Sequence, residues 1–109
     1  MERSELRIER GEPGTAIVVL TGEHDVTIAA PLSDALDELV DADVAIVVDL
    51  TRAQLLDSTL VAILLRTRRE ARERGVPFGV VADDTTGPAV LRLLGATGLV
   101  RDLPGVRER

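Results

Sequence analysis

A chain of 109 residues, 45% hydrophobic and 29% charged, is long enough to bury one self-sufficient core and too apolar to stay unfolded, so a single domain over 1–109 is expected. Its formal net charge of −6 and its single aromatic residue, Phe78, argue against direct binding of nucleic acid, which needs clustered cations for phosphates and aromatic faces for bases. No cysteine is present to cross-link, attack or ligate, the charged start offers no apolar signal stretch, and the runs at 16–20 and 44–48 are too short to cross a bilayer. Neither export nor membrane insertion is expected, and the cytoplasm is the expected compartment.

In chain order, Leu6-Arg7-Ile8-Glu9 alternates apolar and polar and reads as a strand with one wet face; Gly11-Glu12-Pro13-Gly14 supplies a turn, and 15–20 forms the second strand of a hairpin that Thr21-Gly22 ends. The spacing of Leu32, Leu36, Leu39 and Val40 predicts a helix over 29–40, with Pro31 in its first turn, where backbone donors lack intrahelical partners. The run 44–50 is almost continuously apolar and reads as a central strand covered on both faces. A second helix carries Leu60, Ile63, Leu64, Thr67 and Ala71 on one stripe and stops at Gly75, shortly before Pro77. A strand over 78–82, a short helix over 88–94 that Gly95 should stop, and a possible last strand over 100–103 complete an α/β chain: a mixed sheet of four to five strands, an N-terminal hairpin with later strands parallel, and helices packed on it.

The stretch from Val47 to Leu60 passes from a buried strand through a polar turn into a helix, and within it stands Asp57-Ser58-Thr59. With Leu20-Thr21-Gly22-Glu23-His24-Asp25, Arg72-Glu73-Arg74-Gly75, and Val90-Leu91-Arg92-Leu93-Leu94 followed by Thr97-Gly98-Leu99, this covers nearly the whole chain in order and resembles the STAS family, in particular its anti-sigma-factor-antagonist members. Those members carry Asp-Ser-Ser/Thr-Gly at this junction and are phosphorylated on the first serine. The resemblance implies a STAS-like fold, a phosphorylation site at Ser58 with Thr59 as a secondary acceptor, and a partner-binding surface of Asp25, Asp57, Ser58, Thr59 and Leu60. It implies as partners an anti-sigma factor serine kinase and a PP2C-type phosphatase. Leu60 stands where the family has Gly, which either alters the helix start or puts an apolar side chain at the partner surface. The chain also stops without the last helix that many members carry.

Local chemistry leaves alternatives at each of these residues. A serine before a helix can simply cap it, Asp25 or Thr27 can cap the first helix, and Asp57 can be only a turn former. If Ser58 is phosphorylated, the first-turn amides and helix dipole accommodate the added charge, so the fold survives and the loss falls on a partner whose surface is acidic. A Ser58–His24–Asp triad has the composition of a hydrolase, but no Gly-x-Ser-x-Gly elbow frames the serine, and His24 is expected as an exposed loop residue. A lone histidine makes no metal site, Gly87, Gly95 and Gly98 lack the spacing of a phosphate loop, and no cofactor or enzymatic activity is expected. Arg66 and Glu70, Arg69 and Glu73, and Glu70 and Arg74 are spaced four apart as solvated ion pairs, the alternative being a docking face for an acidic partner. The alternative function is a STAS subunit built permanently into an assembly, a lipid-transport ATPase complex or a stressosome-like scaffold, with Leu60 serving a stable interface and Ser58 no switch.

Overall fold

The computed structural model describes residues 5–99. The alternation at the N-terminus forms β1 (Glu5–Arg10), which pairs antiparallel with β2 (Thr15–His24), setting Leu6 opposite Leu20 and Ile8 opposite Val18 on one face. Gly14, at φ +83°, makes the turn between them, a conformation that only glycine adopts freely. A short 3-10 turn over Val26–Ile28 leads into α1 (Ala29–Asp41), then come β3 (Ala45–Asp49), β4 (Ala53–Leu56), α2 (Ser58–Arg74), β5 (Phe78–Val81) and α3 (Pro88–Thr97). The sheet order is β1-β2-β3-β5, with β4 on β2 beyond the end of β3, and every pairing except β1·β2 is parallel. The fold is the expected mixed sheet of five strands with three helices.

The core lies between one sheet face and the helices. Val18 and Leu20 of β2 and Ile46 and Val48 of β3 meet Leu32, Leu36 and Val40 of α1 and Leu60, Val61, Leu64 and Ala71 of α2. At about 1.5–3 kcal/mol for each large apolar side chain taken out of water, this shared layer is the dominant favourable contribution to folding. Arg66 and Arg74 fasten the two helices from outside: Arg66 donates to Ser33 Oγ at 2.9 Å and meets Asp37 at 3.3 Å, and Arg74 meets Asp43 at 3.4 Å. Of the expected i,i+4 pairs, Arg66 and Glu70 lie 3.6 Å apart. These exposed pairs contribute little individually, about 0–1 kcal/mol.

Four expectations are corrected. The second strand does not end at Thr21-Gly22 but continues to His24: its pairs with β3 end at Val19, and from Gly22, which takes φ +89°, it pairs with a new partner, β4, with a register irregularity between Gly22 and Glu23. That partner, Ala-Gln-Leu-Leu, stands where a turn was expected. β3 is not covered alike on both faces: Ile46 and Val48 are buried while Ala45, Val47 and Asp49 are only partly so. α3 runs through Gly95 to Thr97 and is capped by Gly98, whose φ of +73° is the left-handed turn that glycine enters without strain. The possible strand over 100–103 lies outside the described residues.

Candidate functional site

The extra length of β2 builds the site. Past Gly22 the strand pairs with β4, Glu23 beside Leu55 and His24 beside Leu56, so both chains leave the sheet at the same end. The amide of Asp57 then donates to the carbonyl of His24 at 3.0 Å. This one bond joins the loop after β2 to the start of α2, which brings the Asp25 loop beside the junction that carries Ser58.

Each loop is closed by an aspartate. Asp25 Oδ1 accepts the amide of Thr27 at 2.9 Å and its hydroxyl as well, capping the 3-10 turn. The hydroxyl bond, followed by the amide bond, holds the Asp25 carboxyl below the ordinary carboxylate range, since both donors favour the charged form. Asp57 Oδ1 accepts the amide of Thr59 at 2.7 Å and is the N-cap of α2, while its carbonyl accepts from Leu60 at 2.9 Å. The capping role open to Ser58 is therefore filled by its neighbour. Ser58 is the first helical residue, exposed, and among the described residues its hydroxyl makes no hydrogen bond; Thr59 is exposed beside it.

Two side chains sit elsewhere than expected. Leu60 is 0% exposed and belongs to the core, so it is not an apolar contact at the partner surface. The helical turn that directs Ser58 and Thr59 outward points the next residue inward, and a leucine there fills volume that glycine would leave to its neighbours. His24 is 4% exposed rather than a solvated loop residue, because the continued strand alternates Glu23 outward and His24 inward. Its Nε2 lies 2.8 Å from the carbonyl of Thr21. A carbonyl only accepts, so Nε2 carries the proton; Nδ1 is buried without a partner among the described residues, and neither nitrogen is bonded to Ser58 as a triad base would be.

A second tier supports β4. The Gly87 amide donates to the carbonyl of Ala53 at 2.8 Å, Thr85 Oγ1 donates to the carbonyl of Thr51 at 2.7 Å, and Thr86 Oγ1 to that of Leu50 at 3.0 Å. Gly87 is required by contact, not by dihedral angle: a Cβ there would stand 2.4 Å from the carbonyl oxygen of Gln54. Beside the aspartates, Glu23, His24, Asp25 and Leu55 line a depression of about 300 Å³. Leu55 is 47% exposed and Val26, next to Asp25, is 55% exposed. Neither was legible in the sequence, because the outward setting of Leu55 follows only from its pairing with Glu23.

A mixed five-stranded sheet, helices over one face, and a capped helix start joined to a neighbouring loop at one end define a small α/β domain whose candidate site is made of backbone ends and short polar side chains. The family described as Mlab, STAS domain matches residues 9–105, and the chain belongs to the STAS domain family. It is 35% identical over 83 residues to the anti-sigma-F factor antagonist RsfB of Mycobacterium tuberculosis, a match covering 75% of this chain and 67% of that protein. The crystal structure of an anti-sigma factor antagonist from Mycobacterium paratuberculosis superposes with a TM-score of 0.74 at 30% identity, over 97% of this chain and 87% of the other. The Bacillus cell fate determinant SpoIIAA in its phosphorylated form gives 0.73 at 18% identity, over 87% of this chain and 85% of that one, which is a likeness of fold. Among the described residues no helix is long and apolar enough to cross a membrane.

Proposed function

We propose that this protein is an anti-sigma factor antagonist working in the cytoplasm: with Ser58 unmodified it binds a serine-kinase anti-sigma factor, which then releases its sigma factor, and phosphorylation of Ser58 ends the interaction. The observation that carries this reading is the exposed, unbonded Ser58 hydroxyl on a helix start whose cap is supplied by Asp57. A serine that capped the helix would be tied to the fold; this one is free for another protein. The relatives named anti-sigma factor antagonists support the choice of partner.

Residues Asp25, Asp57, Ser58 and Thr59 form the contact, with Thr59 a secondary acceptor. In the transfer, Ser58 Oγ attacks the terminal phosphorus of the kinase's ATP, the bond from that phosphorus to the ADP oxygen breaks, and the hydroxyl proton passes to a base on the kinase. The protein itself catalyses nothing. The product phosphate faces the phosphates of the ADP just formed and the acidic surface around Asp57, so like charge is concentrated where the two proteins meet. A PP2C-type phosphatase reverses the state by hydrolysis to serine and inorganic phosphate.

The alternative of a permanent assembly subunit drew its support from Leu60 as an interface residue, and a core Leu60 no longer offers that support. The deciding experiment is affinity capture from native lysate with wild type, Ser58→Ala and Ser58→Asp. Retention of an ATP-binding anti-sigma kinase by the first two and its loss by the third is expected. Equal capture of transporter or scaffold proteins by all three would overturn the reading.

A further inference from the structure

β1 closes one edge of the sheet: β2 pairs with one side of it, and among the described residues nothing pairs with the other. An unpaired row of amides and carbonyls is a template for another strand, and monomeric proteins blunt it with proline, a bulge or charge. β1 contains no proline and no bulge, since its register with β2 runs unbroken from Glu5 opposite Thr21 to Arg10 opposite Ala16. Charge is present, as Glu5, Arg7 and Glu9 on the face away from the helices, but its sign alternates along the strand. On the helix face Ile8 is 49% exposed and, with Arg10, Leu39, Ala42 and Val44, walls a depression of about 270 Å³.

This sequence of side chains is complementary to itself in one register. Antiparallel neighbours that lie directly opposite point to the same face, so a two-fold axis between two such edges sets one residue against its own copy. With Glu5, Arg7, Glu9 or Arg10 on the axis, that residue meets its own charge, and like charges directly opposite are destabilising. With Leu6 on the axis, only Glu5 to Arg7 of the strand are paired. With Ile8 on the axis, the two exposed isoleucines meet and each Arg7 lies opposite Glu9 of the other copy. Each Leu6 then lies opposite Arg10, whose methylenes can cover it while the guanidinium stays in water.

We infer that β1 is a contact between two copies of this chain, paired antiparallel about Ile8 so that the two sheets become one. The contact is isologous and closes at two copies, because each molecule uses its edge once. A pairing over Leu6 to Arg10 is small, below about 1,200 Å², so the association is reversible and depends on concentration. The pairs of β1 reach Thr21 on β2 and stop before the stretch from Gly22 to His24 that carries β4, so each copy keeps its candidate site outside the contact.

The test is sedimentation equilibrium of the full chain from about 1 μM to about 1 mM, the range in which weak association is read. Wild type is expected to pass from one copy to two across that range. Ile8→Lys puts two cations on the axis, and Arg7→Glu and Glu9→Arg each set like charges opposite, so all three variants should stay monomeric. The three positions are exposed, and the circular dichroism spectra should match wild type. Mixed in equal amounts, Arg7→Glu and Glu9→Arg should pair again, because every glutamate at these positions then faces an arginine of the other copy. A wild type that stays monomeric at the highest concentration overturns the inference. If wild type pairs and the Ile8→Lys and Arg7→Glu variants pair equally well, the contact lies elsewhere and the inference fails. A mixture that stays monomeric where wild type pairs would refute the register about Ile8.

Discussion

Asp25 and Asp57 close the first turns of the segments they precede in the same way, with a carboxylate oxygen two residues before the amide it accepts. The difference is that Thr27 adds its hydroxyl to the bond on Asp25, and this lowers the pKa of that carboxyl. Because the folded value lies below the unfolded one, the stabilisation is present at neutral pH and disappears as the pH falls through the folded value. Asp25 is fully exposed, so the effect on stability is screened and small. The direct reading is a carboxyl titration followed by NMR. Thr27→Val should raise the Asp25 value toward that of an ordinary aspartate, and an unchanged value would mean that the hydroxyl bond is not formed in solution. Leu60 illustrates the limit of matching motifs by position. The residue that differs from the family pattern points away from the surface the motif forms, and its consequence is for packing.

At the scale of elements, the site depends on a ladder of three pairs between β2 and β4, and β4 in turn rests on the loop before α3. Gly87→Ala should push Gln54 away, since a methyl group 2.4 Å from a backbone oxygen has no rotamer by which to escape. Overpacking of this kind costs about 1–3 kcal/mol. In a domain of this size that lowers the melting temperature by roughly 4–8 °C per kcal/mol, which calorimetry would detect. A melting temperature equal to wild type would show that β4 can move without loss.

The long periodic elements were legible in the sequence. α1 was expected over 29–40 and spans Ala29–Asp41, and α2 stops at Gly75 with φ +73°, as a helix running into that glycine should. β4 was not, because Ala-Gln-Leu-Leu has neither alternation nor β-branched residues and Thr21-Gly22 carries the composition of a turn. A register shift is a property of two strands together, and no single segment announces it. The motif at 57–59 was legible as a junction, but which of its residues caps the helix was not. Asp and Ser are nearly equal caps, and one residue of phase decides between them.

The molecule as a whole separates folding from what Ser58 presents. The core lies beneath α1 and α2, and the first turn of α2 tolerates negative charge because its amides and dipole favour an anion. Ser58→Asp should therefore unfold in urea with a midpoint corresponding to within about 0.5 kcal/mol of wild type, as is usual for surface substitutions. A markedly lower midpoint would tie Ser58 to the fold and weaken any account in which its modification acts on a partner alone.

β2 has a further consequence for anyone building with this domain. Its ten residues extend about 30 Å at roughly 3.3 Å per residue, with the Gly14 turn at one end and Asp25 at the other. A fluorophore, surface tether or fused reporter attached in that turn would sit across the molecule from Ser58, leaving that corner unobstructed. The strand thus doubles as a spacer, and the hairpin turn is the natural handle for turning the domain into a sensor.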